Sequence, residues 1–155
     1  MGDAISLSRE DGAAREPALA WNGTEFGAAW VYQSFQKREA RNNLYVRFAL
    51  VNGSGERMGE EIDVFNAFGP VGPQSRVGLA VHASGGEFEV SGFRAHRRQM
   101  ASTVLDRAGR KTGDDRFFPG YPGLNHSVVS TDRGFAVAWY SPEDVAGWIY
   151  FAALE

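Results

Sequence analysis

Hydrophobic and polar residues alternate in short stretches along the chain, and clusters of turn residues separate these stretches. In segment 25–30 (EFGAAW), Phe26 and Trp30 lie on one side of an extended chain, and segment 44–50 (LYVRFAL) has the same period of two. This period predicts β-strands whose two faces differ in environment. Asn22–Gly23 predicts a hairpin turn before the first segment, because both residues tolerate positive φ. The pattern therefore predicts an all-β fold.

One longer pattern occurs three times in the sequence. The copies are PALAWNGTEFGAAWVY from Pro17, VGLAVHASGGEFEVSGF from Val77 and PGLNHSVVSTDRGFAVAWY from Pro122. In each copy a leucine is followed by a turn and then by a phenylalanine in an alternating stretch; the pairs are Leu19 and Phe26, Leu79 and Phe88, and Leu124 and Phe135. Copies that begin roughly 45 to 60 residues apart, with only strands and turns between them, are typical of the blades of a β-propeller.

Each copy is predicted to form a blade of four antiparallel strands joined by tight turns. The clearest predicted strands are 18–21, 25–30, 44–50 and 61–65 in the first copy, 99–105 and 117–118 in the second, and 148–154 in the third. The three blades then span about 17–65, 77–118 and 122–155 of a single domain, 1–155.

The third copy has no fourth strand after 148–154. Segment 4–8 (AISLS) precedes the first copy as segment 61–65 (EIDVF) precedes the second. We therefore predict that the N-terminal segment completes the third blade by pairing with 148–154, since strand pairing between the chain ends fastens a propeller ring. The alternative is that 4–8 is a leader that belongs to no blade.

Three blades are too few for a ring, because known propellers contain about four to eight. A chain of three blades would expose an apolar blade face at each end. Two chains would form a closed ring of six blades, so we predict a homodimer. Two alternatives stay open: the chain is a fragment of a longer repeat array, or it has a different small β fold.

The pattern P-x-L-A-W-N-G-x-x-F/Y-x-x-x-W, followed by a strand and a G-x-x-x-G turn, resembles the Trp/Gly-rich propeller repeats of large bacterial secreted and surface proteins. A looser similarity is to small propeller lectins in which several protomers complete one ring. The middle copy departs from the pattern, with Val81-His82-Ala83 in place of Trp-Asn-Gly and Gly92-Phe93 near the expected tryptophan. The resemblance implies a fold and no particular activity, because propellers have many functions.

Composition excludes several classes of function. The 155 residues carry a net charge of -3, and general affinity for nucleic acid usually needs a strongly basic face. The absence of cysteine excludes disulfides, thiol catalysis and cysteine-ligated zinc. No apolar run approaches the roughly 20 residues that span a bilayer, and residues 1–11 do not resemble a signal peptide. We predict no nucleic-acid or membrane partner; a cytoplasmic protein and a piece of a secreted one would both have such a sequence.

The loops between second and third strands contain a group of basic residues that would form a rim on one face of the ring. Its members are Lys37, Arg38, Arg41, Arg94, His96, Arg97 and Arg98. In an acidic protein such a rim would favour an anionic ligand, for example an acidic glycan. The alternative is that these side chains only keep the loops soluble.

Aromatic residues are the second group of candidates, because their rings offer flat apolar surface for stacking against sugars. Trp30 and Trp139 recur at one repeat position and are predicted to lie in the core between blades. The residues next to the variable loops are better candidates for ligand binding; they are Phe118, Tyr121, Tyr140 and Trp148.

Support for chemistry is weak. His82 and His126 fall near the repeat position of Trp21, on first strands that would line a central channel, yet no carboxylate accompanies them, and no metal or cofactor is predicted. Segment 130–134 (STDRG) resembles the start of the Asp-box turn of sialidase-type propellers, which is structural in that family. No nucleophile elbow or phosphate loop occurs.

The sequence thus predicts a non-catalytic binding module, most plausibly for carbohydrate, with symmetric repeated sites. The alternative is a structural or protein-interaction propeller without a small-molecule site. A glycosidase- or sialidase-like enzyme is the third hypothesis.

Overall fold

The computed structural model describes residues 4–34, 44–66, 77–81, 85–94, 99–118, 126–141 and 148–154. Within these ranges the chain forms β-strands and turns and no helix. The strands are β1 (Gly12–Trp21), β2 (Glu25–Ser34), β3 (Leu44–Asn52), β4 (Arg57–Asn66), β5 (Val77–Val81), β6 (Phe88–Arg94), β7 (Gln99–Leu105), β8 (Arg116–Phe118), β9 (His126–Ser130), β10 (Phe135–Ser141) and β11 (Trp148–Leu154). The prediction of an all-β fold is confirmed. None of the described ranges contains a helix that could span a membrane.

The strands form three separate antiparallel sheets, and each sheet takes its strands in chain order. The first sheet is β1-β2-β3-β4, the second is β5-β6-β7-β8, and the third is β9-β10-β11. The predicted strands 99–105 and 148–154 have the observed bounds. The first strand was predicted to begin at Ala18, whereas β1 begins at Gly12, because a bulge lets it continue past Pro17 and pair with β2 as far as Ser34.

The three predicted phenylalanines occupy the same place in their sheets. Each forms the pair next to the hairpin turn with the last residue of the preceding strand; the pairs are Trp21 with Phe26, Val81 with Phe88, and Ser130 with Phe135. Glycine at positive φ lies in the turns of the first and third hairpins, at Gly23 (φ 103°) and Gly134 (φ 147°). The three phenylalanines therefore share one register position relative to their hairpin turns.

The register corrects the alignment of the third copy. Counting from the turn, Leu19 and Leu79 lie opposite Ala28 and Val90, and the residue that occupies this position in the third sheet is Val128, opposite Val137. Leu124, which was predicted there, lies outside the described residues. The turn between β9 and β10 is shorter than the turn between β5 and β6. Positions counted forward from the leucine therefore do not correspond between the second and third sheets.

The sheets pack on one another in order, through faces that we name from the phenylalanines. The leading face of a sheet carries Phe26, Phe88 or Phe135, and the trailing face is the opposite one. The trailing face of the first sheet packs on the leading face of the second, where the rings of Phe48 and Phe88 are 5.2 Å apart. On the trailing face of the second sheet, Met100 belongs to a buried cluster with Phe135 and Trp139 of the third. Both predicted core tryptophans are buried, with exposed fractions of 4% for Trp30 and 6% for Trp139. Trp139 lies between the second and third sheets, whereas Trp30 lies under the N-terminal segment on the leading face of the first.

Two glycines permit the close approach of the first and second sheets. A Cβ atom on Gly27 would overlap the Phe88 ring, and one on Gly92 would lie 2.9 Å from the Phe65 ring. Gly92 occupies the repeat position of Trp30 and Trp139. The ring of Phe65 fills the space that a tryptophan would need there, which explains why the middle copy departs from the repeat.

The N-terminal segment does not have the predicted position. Residues 4–8 form no strand, and β11 pairs only with β10 in the described third sheet. Leu7 instead packs against Trp30 and its neighbours on the leading face of the first sheet, and Arg57 donates a hydrogen bond to the Leu7 carbonyl oxygen (3.4 Å). Within one chain the predicted closure of the third sheet is therefore wrong, because Leu7 packs on the first sheet, where it is partly buried.

Glu89 lies on the trailing face of the second sheet with none of its surface exposed to solvent. Neither carboxylate oxygen has a hydrogen-bond partner. Burial raises the pKa of Glu89, and the nearby Ser102 hydroxyl, which does not reach hydrogen-bonding geometry, and the charge of Arg116 oppose this only weakly. A buried carboxylate without partners disfavours the folded state whenever it is ionised.

We expect Glu89→Gln to stabilise the protein at pH 7. The folded state holds the Glu89 proton to a higher pH than the unfolded chain, so the stability from the neutral acid is complete below the ordinary pKa of 4.5 and is lost as the pH rises through the raised pKa. Urea unfolding at pH 7 should show a gain on the order of 1–3 kcal/mol. The gain should vanish near pH 4, and the exposed control Glu60→Gln should show neither effect. A gain equal at both pH values would contradict this account.

Candidate functional site

Of the predicted ligand-binding residues, the structure describes the side chains of Phe118, Tyr140 and Trp148. The backbone of Arg94 ends β6, and its side chain lies outside the described residues. Tyr121, His96, Arg97 and Arg98 also lie outside them, as do Lys37, Arg38 and Arg41. The basic rim therefore stays a prediction.

Phe118 of β8 in the second sheet and Trp148 of β11 in the third belong to a row of aromatic rings along the leading face of the third sheet. The Phe118 ring is 6.0 Å from the Trp139 ring, and Trp139 stacks on Tyr150 at 5.6 Å with an angle of 16° between the planes. Tyr150 and Trp148 share a face of β11, because they are two residues apart in an unbroken register. Trp148 is 59% exposed. We call these four residues the aromatic row.

Tyr140 lies on the trailing face of the third sheet and does not join the aromatic row. This face carries four exposed apolar or aromatic side chains, which are Val129, Tyr140, Ile149 and Phe151. Phe151 is 70% exposed and Ile149 is 75% exposed. An open cavity of about 460 Å³ lies beside Tyr140 and Ile149 and extends to Ser127 and Ala138. We call this surface the open face.

A second candidate site is a group of charged residues on the first sheet, centred on Arg47. The Arg47 guanidinium is nearly buried and lies 3.6 Å from the centre of the Tyr32 ring. It donates to Asp63 at 2.7 Å and also forms an ion pair with Glu61, whose side chain is 1% exposed. Arg9 of the N-terminal segment pairs with the same Glu61 oxygen at 2.7 Å. Two guanidinium groups thus compensate one buried carboxylate.

A small polar cavity of about 210 Å³ lies within this charged group and is lined by Arg9, Asp11, Arg47 and Asp63, among others. The Tyr32 hydroxyl lines it too and donates a hydrogen bond to Asp11. Burial and this bond to the carboxylate raise the pKa of Tyr32, so the phenol keeps its proton. Hydrogen-bond donors and acceptors lie side by side in the cavity wall, and most of them already form hydrogen bonds or ion pairs with one another.

Sequence reasoning missed this charged group, because Arg47 was noted only as a polar residue that alternates with Val46 and Phe48. A signal was present. Glu61 and Asp63 are two residues apart on the next strand, which places both carboxylates on one face, and Asp63 pairs directly with Arg47. Opposite charges at facing positions of neighbouring strands predict an ion pair, whether buried or exposed.

The histidines do not have the predicted arrangement. His126 lies opposite Trp139 in the third sheet, at the far end of the strand from the turn position that Trp21 occupies in the first. His82 lies outside the described residues. In the part of the chain that the structure describes, no three His, Asp or Glu side chains lie close enough together to hold a metal ion.

We expect Arg47→Met to destabilise the protein by about 3 kcal/mol, because it leaves Glu61 buried with Arg9 as its remaining cation. Chemical unfolding at pH 7 measures this loss. Arg110→Met removes a guanidinium from an exposed pair with Asp106 and should change stability very little. Adding Glu61→Gln to Arg47→Met should restore part of the loss. Equal effects of the Arg47 and Arg110 substitutions would show that the ion pair has no structural role.

The comparisons with known proteins assign no family to this chain. No protein-family model matches it, and no curated protein matches it significantly in sequence. The resemblance to Trp/Gly-rich propeller repeats therefore depends on the quoted residues alone, and function has to be argued from the surfaces described above.

Proposed function

We propose that this protein is a non-catalytic binding module for carbohydrate, and that the aromatic row is its binding surface. The observation that carries the proposal is the exposure of Trp148 beside Tyr150, which is itself held by stacking on the buried Trp139. Aromatic rings fixed by a neighbour offer a flat apolar surface at low entropic cost, and the faces of sugar rings complement such a surface. The phenol of Tyr150 adds a hydrogen-bonding group at the edge of the row.

The proposal is for binding and not for a reaction. Members of the aromatic row supply apolar area, and none of them is a carboxylate, an imidazole or an activated nucleophile. Glycosidases need two carboxyl groups on either side of the scissile bond. The acidic residues of the charged group around Arg47 lie on the first sheet, apart from the aromatic row on the second and third.

We further propose that the three sheets are propeller blades. Support comes from their topology, since each is a meander in chain order, and from the packing of each trailing face on the next leading face. The first strands β1, β5 and β9 contact their neighbours in the adjacent sheets, as inner strands do around a propeller axis.

A homodimer would complete the ring. The open face of the third sheet is the trailing face that the first two sheets bury, and in the ring it would pack on the first sheet of a second copy. The N-terminal segment lies on that first sheet. Residues 4–8 of one copy would thus lie within the contact between the two copies, with Leu7 kept in its place on the first sheet.

We expect Trp148→Ala to weaken binding to an oligosaccharide at least about tenfold, which corresponds to about 1.4 kcal/mol. The measurement is a screen of immobilised neutral and acidic oligosaccharides, followed by calorimetric titration of the best ligand. Trp21→Ala is the matched control, because Trp21 is also exposed (46%) but lies on the first sheet.

Equal loss in both tryptophan variants would place the ligand away from the aromatic row. If no oligosaccharide binds the wild-type protein, the carbohydrate proposal is wrong and the alternative of a protein-interaction propeller is favoured. Dependence of binding on acidic sugars and on salt would bring the basic rim into the site.

We expect the protein to sediment at twice its chain mass of 17.0 kDa. Phe151→Glu places a charge on the open face and should give a monomer, because a buried unpaired carboxylate opposes association. Met58→Glu is the control on the outer strand β4, where the side chain is also exposed (42%), and should remain dimeric. A wild-type monomer at micromolar concentration would contradict the ring, whatever the variants do.

A further inference from the structure

Glu89 occupies a contact position between sheets that holds glycine in the first sheet. It follows Phe88 on β6 as Gly27 follows Phe26 on β2, and the Phe88 ring packs over Gly27. The Glu89 side chain is on the trailing face of the second sheet, which packs on the third sheet, and none of its surface is exposed. Its carboxyl group therefore lies in the contact between the second and third sheets, and none of the functions proposed above uses it.

This contact is more polar than the contact between the first and second sheets. The trailing face of the second sheet also buries the side chains of Ser91 and Ser102 completely, whereas the buried side chains on the trailing face of the first sheet, as far as the structure describes it, are apolar. Among the described residues, the apolar cluster between the first and second sheets has twelve buried members, and the cluster between the second and third has four. The second contact is the weaker one, since less apolar surface is removed from water there.

The charged groups around this contact do not neutralise Glu89. The titratable side chains that the strands place toward the contact are Arg116 on β8, His126 on β9 and Tyr150 on β11. The turns at its edge carry the ion pairs Asp106–Arg110 and Lys111–Asp115 and the exposed side chains Asp132 and Arg133. Arg116 is exposed, and its charge opposes the effect of burial on the pKa of Glu89 only weakly.

His126 and Tyr150 lie at the other end of the contact. Both are beside Trp139, which packs on Phe118 of the second sheet. Phe118 pairs with a residue of β7 that is four positions, or about 13 Å, from the partner of Glu89 on the same strand. Neither side chain is therefore a counter-ion or a proton donor for Glu89.

We propose that Glu89 is a pH-sensitive switch that controls the contact between the second and third sheets. The neutral acid is tolerated between the sheets, whereas the carboxylate needs water and gains it when the sheets separate. The third sheet can separate while the other two stay folded, because in the described part of the chain it packs on the second sheet through its leading face and exposes the open face on its other side.

Rising pH opens this contact. Burial raises the pKa of Glu89 in the closed form, and after separation the carboxyl group returns toward its ordinary pKa of 4.5. The closed form is therefore fully stabilised below pH 4.5 and weakens by up to about tenfold per pH unit as the pH rises toward the raised pKa. Above the raised pKa, Glu89 is ionised in both forms and the contact is at its weakest.

The switch also acts on the aromatic row, and this step rests on the carbohydrate-binding function proposed above. The row crosses the contact, since Phe118 belongs to the second sheet and Trp139, Tyr150 and Trp148 belong to the third. Separation of the sheets removes Phe118 from Trp139 and divides the binding surface. Carbohydrate binding should therefore weaken as the pH rises.

Two methionines test the switch, because one lies inside the contact and the other outside it. Met100 is 1% exposed in the cluster between the second and third sheets, whereas Met58 is 42% exposed on the first sheet. In protein labelled with ¹³C at the methionine methyl groups, the Met100 resonance should move toward its position in the unfolded chain between pH 5 and pH 9, while the Met58 resonance stays in place. Met100→Leu assigns the Met100 resonance by its disappearance.

Glu89→Gln keeps the shape of the side chain without the charge, so Met100 should keep its pH 5 resonance up to pH 9. Glu89→Leu, which is also neutral, replaces this variant if it does not fold. The control Glu60→Gln changes a side chain that is 86% exposed and should behave as the wild-type protein does. A wild-type Met100 resonance that does not move, movement of Met58 together with Met100, or an unaltered titration in the neutral variant would overturn the proposal.

The screen of immobilised oligosaccharides, repeated at pH 5 and pH 9, tests the effect on binding. The wild-type protein should bind at least tenfold more weakly at pH 9, and Glu89→Gln should bind equally at both pH values. If no oligosaccharide binds at either pH, the carbohydrate proposal alone is wrong, because the methionine resonances need no ligand. Equal wild-type binding at both pH values, with Met100 moving, would overturn the link between the switch and the aromatic row.

Discussion

The arrangement of the sheets depends on one contact, the packing of the Phe88 ring between the first and second sheets. The ring is fully buried, lies over the bare backbone of Gly27 and packs against Phe48. Any side chain at position 27 would push the two sheets apart, since its first carbon would already overlap the ring. Gly27 therefore fixes the distance between the first and second sheets. That distance limits the size of the side chains at the other positions of the interface.

Gly92 shows this dependence. At its repeat position the first and third sheets carry tryptophan, but the second sheet meets Phe65 and Val46 across the interface and has room only for hydrogen. The three sheets thus share a register at this position and differ in side-chain volume, and at Gly92 a small residue faces a large one across the interface. In the third sheet, Trp139 packs toward the second sheet. No described residue packs on the open face on the opposite side.

Most of the strands could be predicted from the sequence, because alternation and turn residues act over a few positions and each hairpin carries both signals. Features that depend on distant parts of the chain could not. The leucine of the third copy was misplaced since turn length is not visible in a pattern of hydrophobic residues. The burial of Arg47 was not predicted, because it depends on carboxylates 14 and 16 residues away. Leu7 was given to the wrong sheet because a short apolar segment can pack on any exposed apolar surface, and nothing local decides among them.

Because the N-terminal segment lies on the first sheet, the outer face of the first sheet differs from the outer face of the third. The leading face of the first sheet combines an apolar half around Trp30 with an ionic half around Arg47, and the segment supplies Leu7 for the first and Arg9 and Asp11 for the second. It is chemically complementary to that face, residue by residue. The open face of the third sheet is uniformly apolar and offers neither charge nor hydrogen-bonding groups to match Arg9 or Asp11, beyond the hydroxyls of Tyr140 and Ser127. The segment therefore lies on the sheet that compensates its charges, and the apolar surface at the other end of the chain stays exposed for contact with another molecule.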